Sequence, residues 1–226
     1  MMNSVERIQA IFTKDYKEFS RNYPLSIMML FPIIFAFFYR DMPMDIVLKA
    51  MFPLAFTFGM FTAFVQACLI AEEKERNTLR SLLLSPASLT DILIGKSLLV
   101  TVASAISVVV SFYLVGYMPT AMMMVGILIS LLFYAALGTI CGLFAKSSME
   151  ASFTVLPVMI LFPFGPYVLL VADKYAFLKV AKWLPSSQLE LVAVGEKVGS
   201  ALLIICLWTV VAWVCAIILC KKRMVD

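Results

Sequence analysis

Several uninterrupted apolar runs, each close to 20 residues, constrain this chain more than any other feature; MFPLAFTFGMFTAFVQACLI at 51–70 is one. As a helix, such a run covers about 30 Å, the thickness of bilayer hydrocarbon, and a soluble domain could not hide several of them. Only 14% of the 226 residues are charged, against about a quarter in soluble domains, and the mean hydropathy is +1.00. Backbone polar groups in lipid must be satisfied within the segment, so the fold class is all-α polytopic membrane protein, one domain over residues 1–226.

Spans are expected at 23–39, 50–70, 92–114, 121–144, 151–172 and 199–220, each ending at a charge or turn cluster. Six transmembrane helices place both termini and the 71–91 loop on one side. Of the 18 Lys and Arg, Arg40, Lys49, Lys174, Lys179, Lys182 and Lys197 fall on the other side, and all the rest lie with the termini. That two-to-one bias predicts cytoplasmic termini and an extracellular 173–198 loop with short helices.

Ahead of the first span, Ile8, Phe12, Tyr16, Phe19 and Tyr23 recur at three- and four-residue spacing, opposite Lys14, Lys17, Glu18 and Arg21. Residues 1–22 therefore read as an amphipathic helix in the membrane interface; packing on a soluble partner is the alternative. Charges recur through this segment, so it is not read as a signal peptide.

Ala55, Gly59, Ala63 and Ala67 form a small-residue stripe down the second span, and Gly138 to Gly142 is a GxxxG in the fourth. Such stripes let helix backbones approach closely in lipid and are expected to pack within the chain. Pro157, Pro163, Gly165 and Pro166 interrupt the fifth. They predict either a re-entrant segment or a kinked span followed by an interfacial helix.

The chain has no histidine, and its five cysteines form no CxxC pair, so no metal site and no disulfide framework is expected. Ile94-Gly95-Lys96-Ser97 ends like a phosphate-binding loop, but the required glycine at position 90 is Thr90, and Lys96 is expected to snorkel to the interface. Glu72-Glu73 with Arg76 resembles the intramembrane prenyl-peptide proteases only in that short string, one residue short in spacing and without the histidines such enzymes use. An intramembrane hydrolase is the rival enzyme reading, a non-transporting membrane scaffold the structural one. The basic residues are scattered over short loops, which excludes a nucleic-acid stripe.

Glu72, Glu73, Lys74, Glu75 and Arg76 follow the second span directly. Carrying them into lipid would cost on the order of 12 kcal/mol, so they must meet water or protein. Leu79, Leu82 and Leu83 then fall at i, i+3 and i+4, giving a short helix one leucine face that needs a partner. Pro86 disfavours helix at Ser85, and Ser88 to Asp91 has capping-box spacing for the next helix.

The string Glu73-Lys74-Glu75-Arg76-Asn77-Thr78-Leu79-Arg80, followed by Leu82-Leu83-Leu84-Ser85-Pro86 and Leu93-Ile94-Gly95-Lys96, resembles the cytoplasmic loop of type-2 ABC transporter permeases. Asn77 stands where that family usually has glycine; asparagine tolerates left-handed backbone best among the other residues. The resemblance implies a cytoplasmic coupling helix between spans 2 and 3, seated on a separate ABC ATP-binding subunit. Glu72 to Thr78 would make its polar contact and Leu79, Leu82 and Leu83 its apolar one, ended by Ser85 and Pro86. It further implies no catalytic residue and no cofactor in this chain, with ATP and Mg bound by two copies of the ATPase partner. A second permease subunit, identical or related, would complete an exporter of hydrophobic or amphipathic substrates in a bacterial cytoplasmic membrane. The Phe- and Met-rich spans suit such substrates, including Phe56, Phe58, Phe61, Phe64 and Met122 to Met124. No substrate-binding residue is assigned.

Overall fold

The computed structural model describes residues 3–76, 78, 88–172 and 174–223, and among them it contains helices and connections but no strand. In chain order these are α1 (Ser4–Arg21), α2 (Tyr23–Ile27), α3 (Leu30–Tyr39) and α4 (Ile46–Phe56), then a π-helical stretch, Thr57–Ala63, leading into α5 (Phe64–Glu75). There follow α6 (Leu89–Val115), α7 (Ala121–Phe144), the short α8 (Ser148–Thr154), α9 (Leu156–Leu161) and α10 (Gly165–Leu169), a 3-10 turn at Ala176–Trp183, α11 (Pro185–Val194) and α12 (Val198–Arg223).

Among the described residues four helices are long and apolar enough to cross a bilayer: Ile46–Glu75, Leu89–Val115, Ala121–Phe144 and Val198–Lys222. They contain the expected spans 50–70, 92–114, 121–144 and 199–220. Their ends are written locally. Ser88 caps α6 with a hydrogen bond from Asp91 N at 3.1 Å, in a reciprocal capping box. Gly116 takes φ +78° at the other end, where Tyr117 N–H reaches Phe112 O at 3.0 Å. Thr120 caps α7.

The other two expected spans differ. The first is the α2–α3 arm, bent 90° from α1; counting the bent pair as one span brings the number of candidates to five. The fifth, 151–172, is not one helix. It breaks ahead of Pro157 and again around Pro163, because each proline removes a backbone donor and crowds the preceding turn.

At the centre, the two small-residue stripes meet. A Cβ on Gly138 would lie 2.4 Å from Ala63 O, and one on Gly142 would lie 2.6 Å from Ala67 O. Only glycine allows that approach, which Gln66 seals by donating to Thr139 Oγ1 at 3.0 Å. Ile46–Glu75 is accordingly the most buried of the four long helices, and Val198–Lys222 the least. In the π-helical stretch Thr62 Oγ1 donates to Thr57 O at 2.8 Å, and Gly59 lets the backbone at Met159 approach. The broken segment thus packs against the π-helical turn of the long helix Ile46–Glu75.

Helix α1 forms as expected but buries a slightly different face. Ile8, Ile11, Phe12, Asp15 and Phe19 turn inward, while Tyr16 and Tyr23 are exposed. The inward stripe keeps helical periodicity and is centred on Ile11, which sits against Gly95 of α6.

Candidate functional site

The candidate site is the end of α5, where charge follows an apolar helix. Four successive side chains, Glu72 to Glu75, project around one turn and so reach four directions. Glu72 Oε1 pairs with Arg76 at 2.6 Å, and its other oxygen accepts from Asn22 Nδ2 at 3.4 Å at the α1–α2 elbow. Glu73 pairs with Lys14 of α1 and with Lys96 of α6. Lys74 Nζ donates to Leu143 O at 2.9 Å and to Ala145 O at 2.6 Å, closing the carbonyl end of α7. Glu75 Oε2 accepts from Ser148 N at 3.1 Å, capping the amide end of α8.

Glu73 therefore differs from the reading that put it in a polar contact with a partner: it is buried at 4% exposure and its partners lie within the chain. Lys96 likewise does not snorkel to an interface. It is 3% exposed, because Glu73 and Asp15, the latter at 3.4 Å, supply the counter-charge that allows it to be buried. Glu75, Arg76 and Thr78 are exposed, Glu72 and Lys74 half-buried, and Thr78 Oγ1 donates to Glu73 O at 3.1 Å. The other expected docking residues, Asn77, Leu79, Leu82, Leu83, Ser85 and Pro86, lie outside the described residues.

Lys14 also approaches Glu18 at 3.6 Å. Asp15, Glu18 and Glu73 offer carboxylate oxygens within 4.8 Å of one another, a spacing that could hold a cation. The ammonium groups of Lys14 and Lys96 already supply positive charge there, so the cluster is an ion-pair network. Burial is the main cause that pushes the Asp15 carboxyl up to about 6; Lys96 pulls it down and Glu73 pushes it further up. A second ion pair, Arg7 with Asp91 at 3.7 Å, and a hydrogen bond from Ser4 to Asp91 fasten the start of α1 to the first turn of α6.

Sequence reasoning missed Asp15, Lys14 and Lys96 as a unit. One signal was present: Asp15 lies on the stripe formed by Ile8, Ile11, Phe12 and Phe19, where an acid needs a buried partner. Beside the cluster, Glu18, Arg21, Asn22, Tyr23, Pro24, Glu72 and Arg76 line an open polar cleft of about 480 Å³. Among the described residues of this cluster no nucleophile sits beside a general base; its ion pairs and hydrogen bonds fasten the end of α5 to α1, α6, α7 and α8.

A search of the curated proteins finds no match. A sequence model of the family described as ABC-2 type transporter matches residues 6–187, which takes in most of α1, the charged run and the broken segment. With its several apolar helices, the chain belongs to the ABC-2 type transporter family and is a multi-pass membrane component of an ABC transporter.

Proposed function

We propose that this chain is the permease subunit of an ATP-driven exporter, powered by a separate ATP-binding subunit seated on the loop after α5. Members of the family generally pair with such a subunit. The observation that carries the reading is the connectivity of Glu72 to Glu75, which ties one turn of helix to α1, to α6 about two turns in, and to the facing ends of α7 and α8. A push on the adjacent loop would move those ends together. Such a rigid hub suits a switch between two states biased by nucleotide in the partner.

In this reading Glu72, Lys74, Glu75, Arg76 and Thr78 form the accessible polar part of the contact, with Asn77, Leu79, Leu82, Leu83, Ser85 and Pro86 completing it. The polar cleft beside Arg76 receives part of the partner's surface. Two permeases, identical or related, sit on two ATPase copies that bind ATP and Mg. The apolar runs supply six crossings, and for that path the Lys and Arg bias supports cytoplasmic termini. Apolar and aromatic span surfaces suit a hydrophobic or amphipathic cargo.

Affinity purification of the native chain from its own membranes should recover an ABC ATPase. Arg76→Glu and Leu82→Glu should each cut that recovery by about tenfold, since a misplaced charge at a desolvated contact costs 1.4 kcal/mol or more. Full recovery with both variants would sink the docking assignment.

A further inference from the structure

The least buried of the long helices, α12, leaves an apolar groove open toward α6. Leu93, Ile94 and Leu98 of α6, Leu132 of α7, and Trp213 and Ile217 of α12 line it, and its volume of about 380 Å³ is that of a ligand pocket. Along α6 it runs from Thr90 in the first turn to Thr101. At about 1.5 Å per residue that is about 16 Å, half the roughly 30 Å of bilayer hydrocarbon, so the groove is as deep as one leaflet. Packing fixes its mouth: Cys220, near the end of α12, is buried in a cluster with Leu143 against which Leu89, the first residue of α6, rests. Lys221 follows Trp213 and Ile217 at four-residue spacing, and helical side chains lean toward the amino end, so it stands over the mouth close to Thr90. Lys222 instead continues the exposed stripe of Val211, Val214 and Ile218. Both lysines are exposed, and neither enters an ion pair among the described residues.

An apolar groove open to the bilayer is filled by acyl chain, because water finds no polar partners in it. Charge adds a choice of headgroup. α7 and α12 carry no acid, and the single acid of α6, Asp91, is buried and taken by Arg7 and Ser4. A phosphate at the mouth thus meets Lys221 without a competing carboxylate from these three helices. The Thr90 hydroxyl lies 2.9 Å from Ser88 Oγ; accepting there, it keeps its proton for an anion. We propose that this groove binds an anionic phospholipid of the leaflet in which α12 ends, with one acyl chain lying between α6 and α12 and the phosphate held by Lys221 and Thr90. The site lies apart from the docking contact after α5 and requires only that the chain sits in a bilayer.

The test is native mass spectrometry of the full chain, stripped of lipid in detergent and titrated with phosphatidylglycerol or with phosphatidylcholine of the same acyl chains. The first phosphatidylglycerol should bind about fivefold more tightly than the first phosphatidylcholine, the scale of one lysine meeting an anionic headgroup. Lys221→Gln should bring the two lipids level, whereas Lys222→Gln, the same change of charge one residue away, should keep the preference. Both positions are exposed, so neither variant threatens the fold. Leu98→Trp, which fills the groove from a partly exposed position, should remove the tight first site for both lipids. Equal loss of preference in the two lysine variants would reveal a general attraction of the basic helix end and overturn the proposal. So would a native chain without preference, a preference that survives Leu98→Trp, or displacement of the lipid by inorganic phosphate, which would mark a site for the anion alone. Lipid bound to monomers but excluded from dimers would overturn it too, since a second copy would then cover the groove.

Discussion

Asp15 is a carboxylate held in a buried setting, 3% exposed. Its carboxyl faces Lys14 and Glu18 on its own helix, Glu73 from α5 and Lys96 from α6, and is pushed up to about 6. Because this lies above its ordinary value of 3.8, the folded chain takes up the proton before the unfolded one does. Asp15 therefore favours the folded state as pH falls from 7 through 6 toward 4, and that contribution is lost as pH rises through 6. The full shift corresponds to at most about 3 kcal/mol. Thermal unfolding in detergent should show the native chain gaining midpoint relative to Asp15→Asn between pH 7.5 and 5, as approximate bounds of that window. Parallel profiles for the two chains would show that Asp15 is not titrating there. The acid on the apolar stripe was visible in the sequence, but its partners were not: Lys96 is 81 positions away and no local pattern links them.

Elements divide by how much of their geometry is local. α6 and α7 were legible because each is an unbroken apolar run with its own stop signals, Ser88, Gly116 and Thr120. The π-helical stretch and the inward face of α1 were not, because each depends on a neighbour: Met159 against Gly59, and Gly95 against Ile11. The junction between α7 and α8 is of the second kind. Ala145 to Ser147 would leave helix-end groups unpaired, and Lys74 and Glu75 reach across to satisfy both ends. Lys74→Met should free two carbonyls of the α7 terminus at a cost of about 1.5–3 kcal/mol, the scale of a hydrogen bond to a charged group. Hydrogen exchange should then quicken through α8 while the middle of α7, locked by Gly138 against Ala63, stays protected. Unchanged protection in α8 would mean that the lysine does not fasten this junction.

At the scale of the whole molecule, the apolar pattern placed the long helices, whereas the path of 148–172 depends on where three short helices sit relative to the bilayer. Two arrangements remain physically consistent with its breaks: a kinked crossing, which gives six spans, or a re-entrant segment, which gives five and parts the two termini. Side-specific labelling distinguishes them, since the natural cysteines contribute little background: Cys68, Cys141 and Cys220 are buried, and Cys206 and Cys215 lie within the apolar helix α12. Cysteine placed at Gln9 in α1, at Met118 between α6 and α7, and at Glu196 between α11 and α12 reports each side in turn; all three positions are exposed. With six crossings and cytoplasmic termini, a membrane-impermeant maleimide applied to whole cells should label positions 118 and 196, and position 9 only after permeabilisation. Labelling at 118 but not 196 would show that the broken segment turns back, and would place the carboxyl terminus outside. The distribution of Lys and Arg does not choose between the patterns, because a re-entrant fifth segment would carry Lys221, Lys222 and Arg223 to the outer face and Lys174, Lys179, Lys182 and Lys197 to the inner one. That exchange leaves the bias positive inside, so charge alone does not separate the two paths, and label at position 196 does.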